Sequence, residues 1–291
     1  LTFYVLERLD SHYCPLIGGK FNTHENIAHF YRAHGKFRQA EPHLLEALKT
    51  KEGLYGREHP SIGADLQNLA MLYHAAGEYA QAGPIYDRAL RIAEKNWGRE
   101  HPSVATVLNY HAELLKMMAS YTEAEMLHRR ALEIRHNALG AEHPSTIQSR
   151  SNLAALLYLR KSYDQSEPLY LELLELRIKD WGAKHMHVAE VLTNLAAICY
   201  EQKRLKEAEP YLWRAVEIIQ ENLGQDHPAL AKSLLKLSQV YEDDGNEPEA
   251  LRLCGWALDI LERNPAADPP ELIAARDRHG RLRRSRHTHR Q

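Results

Sequence analysis

The sequence predicts an all-α solenoid built from stacked antiparallel helix pairs, and three observations predict it. His59, His101, His143, His185 and His227 each lie 42 residues after the last, and proline follows all but His185. A fixed period of this size marks stacked supersecondary units rather than one globular core. The residues between keep register: Asn68, Ala70, Gly77, Tyr79, Ala82, Ala89, Leu90 and Gly98 return one period earlier as Asn26, Ala28, Gly35, Phe37, Ala40, Ala47, Leu48 and Gly56, and four later copies follow. Within a unit, Leu66, Leu69, Ala70 and Tyr73, then Ile85, Ala89, Leu90 and Ile92, fall at helical spacing.

Taken in order, residues 1–16 read as the second helix of a degenerate preceding half-repeat, with Val5 and Leu6 in the places of Ala89 and Leu90. Residues 17–265 hold six complete units. The first helix of a unit starts at Pro60, Pro102, Pro144 or Pro228, since proline suits the first helical position and pushes its predecessor out of helical geometry. Gly35, Gly77 and Gly245 close the turn to the second helix, where positive φ is needed. Lys161 and Lys203 replace that glycine, so those turns are expected to close differently. Ala70, Ala82 and Ala89 are small where helices cross, which lets backbones approach to about 8 Å. A large residue at Ala82 or Ala208 is expected to cost about 1–3 kcal/mol by overpacking.

Tyr55, Trp97, Leu139, Trp181 and Leu223 precede the unit-end glycine and are expected as core residues plugging the seam between units. Pro269 and Pro270 stand where His-Pro would be, so residues 266–280 read as a second capping half-repeat, its helix running from Glu271 to His279. Residues 281–291 remain as a basic tail. From Asn264 onward seven arginines face three acids, giving the end +4 and the rest −6 of a net charge of −2. The expected role of this tail is a solvated, flexible terminus.

Near-neutral charge removes the electrostatic argument for nucleic acid, and no aromatic residue interleaves the arginines. No stretch of 18 apolar residues and no cleavable leader is present, so no membrane partner is expected. Cys14, Cys199 and Cys254 are odd in number and lack CxxC spacing, which fits reduced thiols and a cytoplasmic setting. A start at Leu1 rather than methionine is what a piece of a longer polypeptide shows.

The sequence offers no enzymatic constellation and no cofactor is expected. The recurring histidines stand about 15–20 Å apart in stacked units, far beyond a shared metal. His24-Glu25-Asn26-Ile27-Ala28-His29 has one residue more than HExxH, which sets its histidines about 140° apart around a helix. Gly18-Gly19-Lys20 lacks the other parts of a phosphate loop.

Leu69-Ala70-x-x-Tyr73 followed by Ala82-x-x-x-Tyr86 resembles the tetratricopeptide consensus, with a period longer than its usual 34. Leu139-Gly140-x-x-His143-Pro144, Ser151-Asn152-Leu153-Ala154 and Glu123-Ala124-Glu125 with Arg130-Ala131-Leu132-Glu133-Ile134 look like the 42-residue repeats of kinesin light chains. This resemblance covers nearly the whole chain and is to the repeats alone, without implying kinesin. It implies a right-handed superhelix whose first helices line a concave groove that binds a protein or peptide, in a chain expected to be monomeric. Similar arrays serve as partner-sensing segments of nucleotide-binding signalling proteins, which is the alternative reading.

If the first helices face inward, the groove presents Asn26, His29, Asn68, Met71, Asn109, Glu113, Asn152 and Asn194. An amide both donates and accepts, so a row of asparagines suits an extended backbone; equally, the same amides can bond to neighbouring helices and stiffen the stack. Tetratricopeptide domains that hold a terminal carboxylate use basic and asparagine residues, and the matching positions offer Asn194, Lys232 and Lys236. Ser151 and Ala155 occupy the other two places, which leaves that clamp incomplete.

Overall fold

The computed structural model describes residues 18–264 and 269–288, and the expected half-repeat at 1–16 lies outside them. Among the described residues there are thirteen helices and no strand. They are α1 (Gly18–Ala33), α2 (Phe37–Tyr55), α3 (Pro60–Ala75), α4 (Tyr79–Trp97), α5 (Pro102–Met117), α6 (Tyr121–Leu139) and α7 (Pro144–Leu159). There follow α8 (Tyr163–Trp181), α9 (Met186–Glu201), α10 (Leu205–Leu223), α11 (Pro228–Asp243), α12 (Glu247–Arg263) and α13 (Pro269–Thr288). The chain groups into two compact units, Leu1–Leu156 and Leu157–Gln291, divided within α7. In the first, α1 pairs with α2, α3 with α4 and α5 with α6, and each pair packs on the next; in the second, α9 pairs with α10 and α11 with α12, which also carries α13.

The recurring histidine is a helix cap. His59, His101, His185 and His227 stand at extended N-cap positions, and each Nδ1 accepts from the N–H two residues on, at Ser61 (3.3 Å), Ser103 (3.2 Å), His187 (3.2 Å) and Ala229 (3.1 Å). His143 does the same for Ser145 at 3.1 Å. One orphan donor of each first helix is thereby satisfied, the task that serine or aspartate usually performs. The cap forms at His185 without the following proline, so the imidazole and not the proline is the common element.

The turn between paired helices closes in one way throughout, contrary to the expectation for Lys161 and Lys203. Both take φ near +60°, as does Ala119, matching Gly35 at +68° and Gly77 at +78°. In each case the next residue donates back across the turn: Glu78 N–H to Tyr73 O at 2.8 Å, Ser162 N–H to Leu157 O at 2.9 Å, Arg204 N–H to Cys199 O at 2.8 Å. This bond satisfies a helix-end carbonyl and compensates an L residue for left-handed geometry.

Packing follows the alanines. Ala40, Ala82, Ala124, Ala208 and Ala250 are fully buried, with Ser166 in the sixth place. The seam residues depart from expectation: Trp97 and Trp181 are 52% and 54% exposed, and Tyr55, Leu139 and Leu223 are exposed with them. In the three aromatic cases the ring lies instead on the histidine four residues on. Tyr55 stacks on His59 at 5.0 Å, Trp97 on His101 at 5.2 Å and Trp181 on His185 at 4.7 Å.

The expected flexible tail is also corrected over its first part. Helix α13 continues through residues 281–288, because Leu282 is buried against Ala250 and Cys254. Arg278 Nη1 donates to Leu235 O at 3.0 Å, and Arg281 Nη2 lies 3.5 Å from Glu242.

Candidate functional site

In the first unit the inner positions of α1 and α3 meet around a cavity of about 200 Å³ lined by Glu25, Asn26, Ala28, His29, Arg32, Leu44 and Asn68. Asn26, His29 and Asn68 are exposed there, while Met71 is half-buried one turn further on. The short Ala28 leaves room between the longer side chains. Asn152 is half-buried, and its Oδ1 accepts from Gln148 Nε2 at 2.8 Å.

Asn109 does not line a groove. It is buried, with Nδ2 donating to Ser149 Oγ at 2.7 Å and Oδ1 2.8 Å from His128 Nδ1. Arg135 completes this cluster through Ser149 Oγ at 2.9 Å, Ser145 O at 2.9 Å and Thr106 Oγ1 at 3.0 Å. Two pairs earlier in the unit the equivalent positions hold an ionic cluster, Lys51 bonded to Glu25 and, at 2.9 Å, to Asp65 Oδ1. The position thus faces the next helix, and it was the asparagine's polarity that suggested a ligand.

Glu113 is half-buried and internally paired with Lys116, with His128 Nε2 3.3 Å from its other oxygen. Burial alone raises the carboxyl, but the His128 and Lys116 contacts outweigh it and hold the group at about 2. A ligand would have to displace Lys116 to use this charge.

In the second unit, a cavity of about 210 Å³ is lined by Tyr158, Ala197, Tyr200, Glu201, Leu212, Lys236, Gln239 and Val240. Lys236 keeps a solvent path, yet the crowded wall desolvates it and lowers its ammonium below the usual lysine range. Among the described residues no carboxylate pairs with it. Gln239 Nε2 donates to Tyr200 OH at 2.7 Å, and Tyr200 OH donates to Asp243 at 2.6 Å, which fixes that ring in the wall. Burial, then the Asp243 bond, pushes the phenol up to about 12. Asn194 is half-buried outside the lining, and Lys232 is turned toward Glu271 at 3.7 Å. The sequence reading missed Tyr158, Tyr200 and Gln239, although the first two share the register of His74 and the third that of Met71.

The family model for the tetratricopeptide repeat matches residues 20–95, 103–179 and 187–263. The chain belongs to the tetratricopeptide repeat family. A comparison with curated proteins finds no match. Among solved structures, this tetratricopeptide repeat chain is similar to a putative kinesin light chain from Podosopora anserina with nearly identical repeats. That likeness has 23% identity over 72% of this chain and 99% of the other, and a TM-score of 0.65. The BtubC (BKLC) protein from P. vanneervenii is 20% identical over 88% of this chain and 95% of its own, with a TM-score of 0.64. A signal transduction ATPase with numerous domains and a tetratricopeptide repeat sensor, from Pyrococcus horikoshii, gives 16% identity and a TM-score of 0.68. There, 88% of the present tetratricopeptide repeat chain covers 38% of the other. Among the described residues no helix is long and apolar enough to cross a membrane.

Proposed function

We propose that this tetratricopeptide repeat chain is a non-enzymatic, cytoplasmic and monomeric scaffold that binds an extended peptide segment along the inner positions of its first helices. The observation that carries this reading is the cavity where Asn26 and Asn68 stand exposed one repeat apart, with His29 between them. Amides at that spacing supply donors and acceptors to a backbone without demanding a side-chain sequence. Changing Asn68, Asn152 and Asn194 together to alanine is expected to abolish partner capture while leaving the helical circular dichroism intact. Capture at wild-type level would refute the groove.

A second reading is favoured by the likeness to the Pyrococcus horikoshii ATPase, whose repeats are described as a sensor. Under it, this chain is the partner-sensing part of a larger signalling protein. Sequencing the complete reading frame tests this; a frame without a nucleotide-binding domain excludes it.

A further inference from the structure

A second cavity of the first unit, about 610 Å³, contains no inner groove position. It is lined by Arg57 and Glu58 of the turn before α3 and by Arg88, Arg91, Ile92 and Lys95 of α4. Part of this arrangement is structural and repeats. Arg88 Nη2 donates to Glu52 Oε1 at 2.6 Å and Arg57 O at 3.2 Å. One period later Arg130 Nη2 makes the same bonds to Glu94 Oε1 at 2.6 Å and Arg99 O at 3.2 Å. Arg57 and Arg99 each hold their Nε 3.7 Å from the same carboxylates. This frame ties a second helix to the preceding pair, and it accounts for the two arginines and the glutamate in either copy.

It does not account for Arg91 and Lys95. In the later copies the position of Arg91 is acidic, as Glu133, Glu175, Glu217 and Asp259, and next to the second frame Asn137 replaces Lys95. Only the first frame is flanked by two further cations. Lys95 is matched by Glu58, whereas Arg91 is exposed and has no ion-pair partner among the described residues. Arg57, Arg88, Arg91 and Lys95 against Glu52 and Glu58 leave a local charge of +2 over a floor made by buried Ile92.

We infer that this cavity binds a phosphate monoester. Such a group carries roughly −1.5 to −2 at neutral pH, which matches the local charge, and its oxygens suit the planar forks of Arg57 and Arg91. A single carboxylate leaves half of the positive charge unmatched. The phosphoryl group has two possible sources, a phosphorylated protein segment or a free phosphorylated metabolite, and the same binding chemistry serves both.

The test uses calorimetric titration of the full chain at about 150 mM salt, where exposed charges are screened over about 8 Å. The probes are inorganic phosphate, glucose 6-phosphate, a phosphoserine peptide and its unphosphorylated form. Saturable binding of the phosphorylated probes at one site is expected. Arg91→Glu, which installs the residue of the next repeat, should weaken it by at least roughly tenfold with circular dichroism unchanged. Glu133→Arg with Asn137→Lys should add a second site beside the Arg130 frame. Tighter binding of the phosphopeptide than of both small phosphates assigns the protein source, and the reverse order assigns the metabolite. Absence of saturable binding, or equal binding by the Arg91→Glu chain, overturns the site. Because no inner position lines the cavity, the asparagine variants leave this measurement unchanged whichever way the groove test falls.

Discussion

Of the two turns in each unit, the one at the unit end keeps glycine from Gly56 to Gly224, whereas the one within the pair also admits alanine and lysine. At the unit ends, Gly98 and Gly182 hold φ +82° and +84° with ψ near 160°, a region closed to L residues. A Cβ added at either would meet nothing within 4 Å, so the constraint is conformational and not steric. At the turn within a pair, Ala119, Lys161 and Lys203 sit at φ 59–62°, the left-handed region that L residues reach at about 1–2 kcal/mol. Gly98→Ala is therefore expected to lose about 1–3 kcal/mol, whereas Lys161→Gly should gain up to about 1 kcal/mol. Denaturant titrations of both variants check the contrast, and equal effects would remove it. The histidine caps belong to the same scale. His101→Ala removes both the acceptor for Ser103 N–H and the support of Trp97, and is expected to cost about 1 kcal/mol, with Trp97 fluorescence shifting as the stack is lost.

Among the elements, α13 shows how one apolar side chain extends a helix that polarity disfavours. Its composition is strongly basic, and local charge repulsion argues for a frayed end. Leu282 reverses this by filling the space against Ala250 and Cys254, while Arg278 and Arg281 reach carboxylate and carbonyl groups on α11. Leu282→Ala should cost about 2–4 kcal/mol of local stability. The readout is the thiol of Cys254, buried beneath α13 and raised above its usual range by desolvation. Its labelling by an alkylating reagent, followed by peptide mass spectrometry, should accelerate in the variant while that of Cys199 in α9 stays slow. Equal acceleration at both would show global unfolding instead. A sequence reading places Leu282 in a run of arginines and finds no periodicity there; only its contact with α12, some 30 residues away, explains the helix.

At the scale of the whole molecule, acid sensitivity separates into two windows, both read from the first unit. Burial lowers His74 and His111 below the usual imidazole value of 6.5, so both are neutral when folded while the unfolded chain binds their protons more readily. Their contribution is complete above 6.5 and is lost as pH falls below it. Glu113, held at about 2 against an ordinary 4.5, contributes stability above 4.5 that is lost as pH falls toward 2. Stability should thus decline in two steps, and His111→Phe, which keeps a ring against Tyr86, should shrink only the upper one. A single step unchanged by that substitution would contradict the assignment. Chemical denaturation at stepped pH measures it.

The period, the helix pairs, their start points and the turn positions were legible in residue order. Each depends on hydrogen bonds closed within about five residues, so local spacing carries the information. Which way each side chain faces was not legible at that range. Asn26 and Asn68 open into a cavity, Asn109 is sealed behind Ser149 and His128, and Trp97 lies on the surface although its size suggests core. For the asparagines those outcomes are set by neighbours half a period to a full period away in the chain and a few ångströms away in space. Burial is decided there, and the candidate ligand sites with it.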